Sequence, residues 1–214
     1  MVEMLDVFDA DFKLLGKEER TEVHKKGLWH QTFFCWIVRS DGKIVVQLRS
    51  KDKSTNPNML DISSAGHISS GETVKDGVRE IKEELGLDVK FEDLTYLGYF
   101  KWATDRGTKK IVPYRNREFC HTFFLKNDMP LNQFVLQPEE LDGIFEVDIQ
   151  SGRELFSKEV DEIKIKGYIR KEDNTLEENE RIVKREDFTK FDNFWLRTFN
   201  LAEDFLNGRR YLTV

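Results

Sequence analysis

Short apolar runs separated by turn residues dominate the chain, and one segment, Thr73 to Leu85, switches to helical period. There Val74, Val78, Ile81 and Leu85 recur at steps of four, three and four, which is one stripe of an amphipathic helix. Gly86 sits where a C-terminal cap belongs. Upstream, Leu5 to Leu15 alternates weakly and predicts a strand pair turning near Asp9–Asp11. Phe33 to Val38 is a compact apolar run, Ser40-Asp41-Gly42 reads as a hairpin turn, and Lys43 to Leu48 as the partner strand. Ser50 to Asn58 is polar, contains a proline and reads as a loop. Strands resume at Leu94–Phe100, Phe119–Leu125 and Ile144–Ile149, with a polar, basic connection from Trp102 to Arg117. Ile163–Ile169 alternates like a strand, Lys171–Glu180 reads as a charged loop, and Phe188 to Leu206 as an amphipathic helix. This order predicts a mixed α+β domain over residues 1–160, with an N-terminal strand extension. Residues 161–214 follow as a C-terminal strand and helix extension packed on the same domain.

Composition narrows the function classes. The 214 residues are 39% hydrophobic and include 17 Phe, enough apolar material for one sizeable core. A formal net charge of -6 argues against a general nucleic-acid backbone binder, which needs a basic excess. A small anionic ligand remains compatible, because a bound divalent cation reverses the local field. Cys35 and Cys120 lie in strand-like apolar runs at no zinc-site spacing, as expected for buried thiols in a reducing compartment. The acidic N-terminus lacks the pattern of a signal peptide, and no stretch approaches the roughly 20 apolar residues that span a bilayer. The expectation is a cytoplasmic protein without a membrane partner.

Chemistry concentrates between Gly66 and Leu87. At 100° per residue Glu80, Glu83 and Glu84 fall on one helix face, opposite the stripe that buries Val78, Ile81 and Leu85. Like charges at that spacing destabilise an isolated helix by roughly 0.2–0.5 kcal/mol per pair, and a cation converts the repulsion into binding. Mg²⁺ is usually held by a few carboxylates plus substrate phosphates. Arg79 can reach Glu83 one turn on and orient it, while the glycines of the preceding loop let backbone approach a metal or phosphate. A solvated charged face competes with this reading for any one carboxylate, but fits the joint pattern poorly.

The run resembles the Nudix box, Gly-x5-Glu-x7-Arg-Glu-U-x-Glu-Glu-x-Gly-U, with U a bulky aliphatic residue. Gly66, Glu72, Arg79, Glu80, Ile81, Glu83, Glu84, Gly86 and Leu87 match by type, but six residues, not seven, separate Glu72 from Arg79. The missing residue has to be absorbed around Asp76-Gly77, which affects Glu72 and leaves the helix half in register. The resemblance implies an α/β/α sandwich with a mixed sheet. It also implies Mg²⁺ or Mn²⁺ held by Gly66, Glu80, Glu83 and Glu84, and hydrolysis of a small organic or nucleoside diphosphate by an activated water.

The flanks are more particular. Leu28-Trp29-His30-Gln31-Thr32-Phe33, Gln47-Leu48-Arg49-Ser50 and Asp61-Ile62-Ser63-Ser64-Ala65-Gly66-His67 resemble the isopentenyl diphosphate isomerase branch over roughly residues 20–150. That branch carries a proton-donating Cys where Ala65 stands here, and tends to lose part of the glutamate box. Both departures point toward hydrolysis, with isomerisation as the alternative and a non-catalytic sensor of a nucleotide-like ligand as the second alternative. Glu118 stands where the isomerases keep their catalytic Glu, which implies a metal ligand or general base; a solvent-facing strand residue is the competing reading.

His24 and His30 resemble isomerase metal-ligand positions loosely, and His67 could hydrogen-bond a phosphate, with a structural or surface histidine as the commoner reading of each. His121 is read as structural. Lys101, Arg106, Lys109, Lys110, Arg115 and Arg117 form a local basic cluster, either a phosphate-gripping loop or an exposed basic hairpin. Arg49, Arg115, Arg117 and His67 are the substrate-binding candidates, beside Glu80, Glu83, Glu84, Glu118 and Arg79 for catalysis. Phe188, Phe191, Trp195, Phe199 and Phe205 are expected to pack the C-terminal helix on the domain, with a homodimer contact as the competing reading.

Overall fold

The computed structural model describes residues 2–106, 114–191 and 193–214, with only the backbone of Arg106. The predicted strand pair is present as β1 (Met4–Phe8) and β2 (Leu14–Glu19), followed by a short helix α1 (Arg20–Lys26). Among the described residues nine strands then form one mixed sheet. Its central members are β3 (His30–Val38) and β4 (Lys43–Arg49), with β5 (Leu60–Asp61) and β6 (Ser64–His67) pairing alongside them. Beyond β3 lie β8 (Tyr114–Lys126) and β7 (Leu94–Arg106); beyond β4 lie β9 (Leu141–Asp148), β10 (Glu162–Arg170) and β11 (Leu176–Lys184). Only the β3–β8 pairing is parallel among these ladders.

The alternation of β3 sorts the core into two layers. Phe33, Cys35 and Ile37 face helix α2 (Arg79–Leu85), where they meet Ile81 and Leu85. Phe34, Trp36 and Val38 face the other way, toward Phe194, Trp195 and Phe199 of α4 (Phe194–Leu206), packed beside α3 (Ile149–Ser157). The result is the expected α/β/α sandwich. Trp36 and Trp195 meet edge to face at 5.0 Å, a geometry that adds roughly 0.5–1.5 kcal/mol beyond area burial.

Several elements depart from the expected boundaries. The region Trp102–Arg117 is not wholly a connection, since β7 runs to Arg106 and β8 starts at Tyr114. The charged loop Lys171–Glu180 is largely a second strand, β11, secured by cross-strand pairs such as Lys171–Glu177 and Lys166–Glu180. The final helix begins only at Phe194, and Phe188 instead lies parallel to Leu60 in a bridge.

One local device opens the sheet. β3 and β4 pair directly only at Ile37↔Val45 and Val38↔Ile44; beyond that, β3 turns to β6 and β4 to β5. Buried Ser63, on the crossover between β5 and β6, accepts from Ile37 N at 2.8 Å and donates to Val45 O. Its hydroxyl thus stands in for the next rung of the ladder, and the cleft described below begins where that ladder parts.

His121 is held on β8 by Tyr96 Oη at 3.1 Å and Gln31 Oε1 at 2.9 Å, and burial lowers its pKa to about 4. The unfolded chain, with histidine near 6.5, therefore binds more protons than the folded one in mildly acid solution. Stability is expected to fall as pH drops from about 6.5 toward 4 and to rise again with pH. Urea midpoints at several pH values should show this, and His121→Gln should flatten the profile. An unchanged slope in the variant refutes the assignment.

Candidate active site

A three-residue 3-10 turn, Asp76–Val78, leads directly into α2 and takes up the shortened spacing. Gly77 makes this fit: a Cβ there would lie 2.7 Å from the Phe33 ring, so only hydrogen lets the turn sit on β3. The helix carries its carboxylates onto β6. Glu84 Oε2 accepts from Ala65 N at 3.0 Å, and the Glu80 carboxylate lies so close to Gly66 that a Cβ there would approach its Cδ to 2.0 Å.

Arg79 is the hub of the acidic groups. It donates to Glu80 Oε1 at 2.6 Å, to Glu83 Oε2 at 3.1 Å and to the carbonyl of His67 at 3.0 Å. Its Nε and Nη2 grip Glu72 at 2.9 and 3.1 Å, while Glu72 also accepts from Ser69 N at 2.8 Å. Glu72 is thus the clasp of the loop, and its hydrogen bond from Arg79 lowers its pKa.

Burial pushes Glu80 up to about 7, against the pull of Arg79. Glu84 is pushed up to about 8 by burial first and the charge of Glu80 second, and Glu140 adds to both. Glu83 is half-exposed. Partly buried Glu80 and buried Glu84, which resist ionising together and flank a backbone that admits no side chain, are a donor set of hard oxygens. A divalent cation such as Mg²⁺ or Mn²⁺ fits that set.

A second group of donors lies nearby. His24 on α1, His30 on β3 and His67 on β6 bring nitrogens within 4.8 Å of one another. Among the described residues three buried imidazole nitrogens, His24 Nδ1, His30 Nε2 and His67 Nε2, find no hydrogen-bond partner. His30 Nδ1 faces the carbonyl of Leu28 at 3.0 Å and must be its donor, so Nε2 points at Glu118 Oε1, 3.7 Å away. A cation, whether a proton on the ring or a metal ion, can bridge that gap. Burial lowers the pKa of His24 to about 3 and that of His67 well below the ordinary value, leaving both neutral, the form that ligates metals. The parallel register His30↔Glu118 is what assembles this pocket.

The carboxylates of α2, with His67 and Glu118 of the second group, line one cleft of about 950 Å³, while His24 and His30 are buried behind it. Arg49 lines it, donating to Asp61 Oδ2 at 2.9 Å and to the carbonyl of Thr55 at 3.1 Å. Arg115 and Arg117 do not line it, a correction that follows from period two along β8: Asn116 and Glu118 face the cleft, and the arginines project from the other side. Arg117 pairs with Asp105 at 2.7 Å, and Arg115 packs against Gly27. Lys101 bonds to the carbonyl of Ala10, outside the cleft. Lys109, Lys110 and the Arg106 side chain lie outside the described residues.

Sequence reasoning missed Glu3, Arg20, Lys53, Trp102 and Glu140 as cleft residues. Lys53 and Glu140 form an ion pair across it, from a polar loop and a turn that carry no motif. Arg20 pairs with Glu3 at 2.7 Å, and Glu3 lies 3.7 Å from His67 Nδ1.

Residues 28–164 match the NUDIX domain family. The chain belongs to the Nudix family. An uncharacterized Nudix hydrolase of Clostridium acetobutylicum is 39% identical over 189 residues, covering 87% of this chain and 89% of the relative. An isopentenyl-diphosphate Delta-isomerase of Serratia proteamaculans is 32% identical over 100 residues, 46% of this chain and 56% of that protein. A Deinococcus radiodurans crystal structure superposes with a TM-score of 0.54 at 22% identity, covering 73% of this chain and 88% of the other. That likeness shows the fold. With the glutamate box intact on α2, the chain is an enzyme of the Nudix pyrophosphohydrolase type. Among the described residues no helix is long and apolar enough to cross a membrane.

Proposed function

We propose that this Nudix enzyme hydrolyses the diphosphate linkage of a small organic or nucleoside diphosphate, using Mg²⁺ or Mn²⁺. The observation that carries the reading is the pair of partly buried Glu80 and buried Glu84, seated on the Gly66 and Ala65 backbone beside Arg79 and open to the cleft. Glu80, Glu84 and the more exposed Glu83, with the Gly66 backbone, would hold the cation. When bound, it would neutralise charge developing on the phosphoryl oxygens and lower the pKa of attacking water. Arg79 fixes the carboxylates in place through four hydrogen bonds and ties itself to the carbonyl of His67 with a fifth. Arg49 and His67 face the phosphates, with Arg49 held ready by Asp61 and Thr55.

Glu118 with His24, His30 and His67 would hold a second, softer cation, since imidazole nitrogens suit Zn²⁺ or Fe²⁺ better than Mg²⁺. This same group favours the second reading, isopentenyl diphosphate isomerisation, as does the Serratia relative. Ala65 argues against it, because a methyl group has no proton to deliver to carbon, and so does the intact glutamate box.

A phosphate-release screen over organic and nucleoside diphosphates with Mg²⁺ and Mn²⁺ tests the proposal, with isopentenyl diphosphate as one arm. Metal-dependent release, lost in Glu83→Gln and Glu84→Gln, is expected. Migration of the carbon–carbon double bond without release would replace the reading with the isomerase. Tight nucleotide binding without turnover under any divalent metal would replace it with a sensor.

A further inference from the structure

The C-terminal extension does more than cover the sheet. Phe188 pairs alongside Leu60, and Thr189 N donates to the carbonyl of Leu60 at 2.9 Å. The hydroxyl of Thr189 donates to Asp61 Oδ1 at 2.8 Å, on the carboxylate whose other oxygen holds Arg49. Trp195 Nε1 fixes the carbonyl of Thr189 at 2.7 Å. Thr189 is therefore tied on both sides, through its carbonyl to α4 and through its amide and hydroxyl to the cleft floor, and Phe194 N donates to the carbonyl of Phe191 at 2.7 Å.

That anchoring delivers Phe191 to the cleft. Its ring lies 4.5 Å from Trp102 and 5.7 Å from Phe34, centroid to centroid, and all three rings line the cavity. Trp102 stands opposite Glu118 in the β7–β8 register, and Phe34 stands opposite Ala65, the residue whose amide holds Glu84. The apolar wall is thus one residue pair from each group of candidate metal ligands. The carboxylates and the His67 imidazole line the cleft next to an uncharged aromatic surface, in a volume far larger than a diphosphate fills.

We propose that Phe191 and Trp102 form the specificity wall of this cleft and select diphosphates whose second group is uncharged and either flat or apolar. The inference rests on the hydrolase reading only for where the diphosphate lies. A nucleobase and an alkenyl chain share the required chemistry, since each trades water for contact with the rings. A sugar hydroxyl or a further phosphate set against the wall would lose hydrogen bonds to water that the rings cannot replace.

Binding without turnover tests it. Three non-hydrolysable probes are titrated calorimetrically in Mg²⁺ into the full chain: methylenediphosphonate, an alkenyl methylenediphosphonate and α,β-methylene ADP. At least one organic probe should bind about tenfold more tightly than the inorganic one, the scale of an aromatic contact plus apolar burial. Which organic probe leads tells a nucleoside from a hydrocarbon. In Phe191→Ala that preference should shrink to within about threefold, whereas Phe191→Leu, which keeps apolar volume, should retain most of the alkenyl preference. Ligand-dependent quenching of tryptophan fluorescence should vanish in Trp102→Phe. Equal affinities for all three probes, no binding of any, or a preference untouched in Phe191→Ala and Trp102→Ala overturn the proposal. Wall-dependent binding without phosphate release from hydrolysable counterparts would sink the hydrolase reading and leave this one standing; the reverse result does the opposite.

Discussion

Glu84→Gln is expected to lower metal-dependent phosphate release by about 10²–10³-fold while raising the melting temperature of the metal-free protein. The two effects have one cause. Glu84 is buried, and its carboxyl is pushed from an ordinary 4.5 up to about 8 by burial and by Glu80. A folded-state pKa raised above the unfolded one gives stability that is full below about 4.5 and lost as pH rises toward 8. Without a cation, the wild-type chain near neutrality carries this penalty, on the order of 1–3 kcal/mol after relaxation. Glutamine is isosteric, can still accept from Ala65 N, and removes the charge. The variant should melt roughly 3–10 °C higher in chelator and lose the pH dependence contributed by this group. Divalent metal should reverse the order, stabilising the wild type more than the variant. Thermal scans with and without Mg²⁺, beside kinetics on the same preparations, check both signs. A variant that melts lower in chelator, or retains activity within tenfold, refutes the account.

The second large effect belongs to a residue with no side chain. Gly66→Ala should weaken Mn²⁺ binding by about 10–100-fold, the scale of displaced ligand orientation. The added Cβ would fall 2.0 Å from Glu80 Cδ, and neither partner can easily withdraw. Gly66 is pinned in the ladder opposite Phe33, while Glu80 is tied to Arg79 and flanked by Ile81, wholly buried in the core. The carboxylate must therefore rotate out, leaving Arg79 with one fewer acceptor. Calorimetric Mn²⁺ titration reads the affinity directly, and circular dichroism establishes that the fold survives. An affinity within twofold of wild type would mean that Glu80 does not face the cation from this position.

The glutamate box was legible because its parts are contiguous: one helix face displays Glu80, Glu83 and Glu84 at spacings that sequence periodicity reports directly. The histidine group was less so. His24, His30, His67 and Glu118 come from four elements, and their convergence depends on a parallel β3–β8 register that leaves no local pattern. Arg115 and Arg117 were misjudged for the opposite reason. A basic run looks like one patch in sequence, but a strand sends alternate members to opposite faces, so Asn116 and Glu118 reach the cleft and their neighbours do not. Trp102 to Arg117 looked like a connection because the ends of β7 and β8 bear polar residues without apolar alternation. The helices α1 and α3 escaped notice for their brevity, at seven and nine residues. Phe191 read only as packing, since sequence cannot distinguish an aromatic that fills a core from one that also borders a cavity.

The hydroxyl of Ser63 gives the sheet a fulcrum. On one arm, β3, β6 and β8 carry His30, Gly66, His67 and Glu118; on the other, β4 and β5 carry Arg49 and Asp61, with the C-terminal segment docked to Asp61. Where the direct β3–β4 pairs end, one buried oxygen bridges the two arms, bonded to Ile37 on one side and Val45 on the other. The gap between the cation-binding arm and the arginine-bearing arm is thus gauged at the vertex of the cleft rather than at its mouth, and the jaw that must span a diphosphate is set by the depth of that one joint.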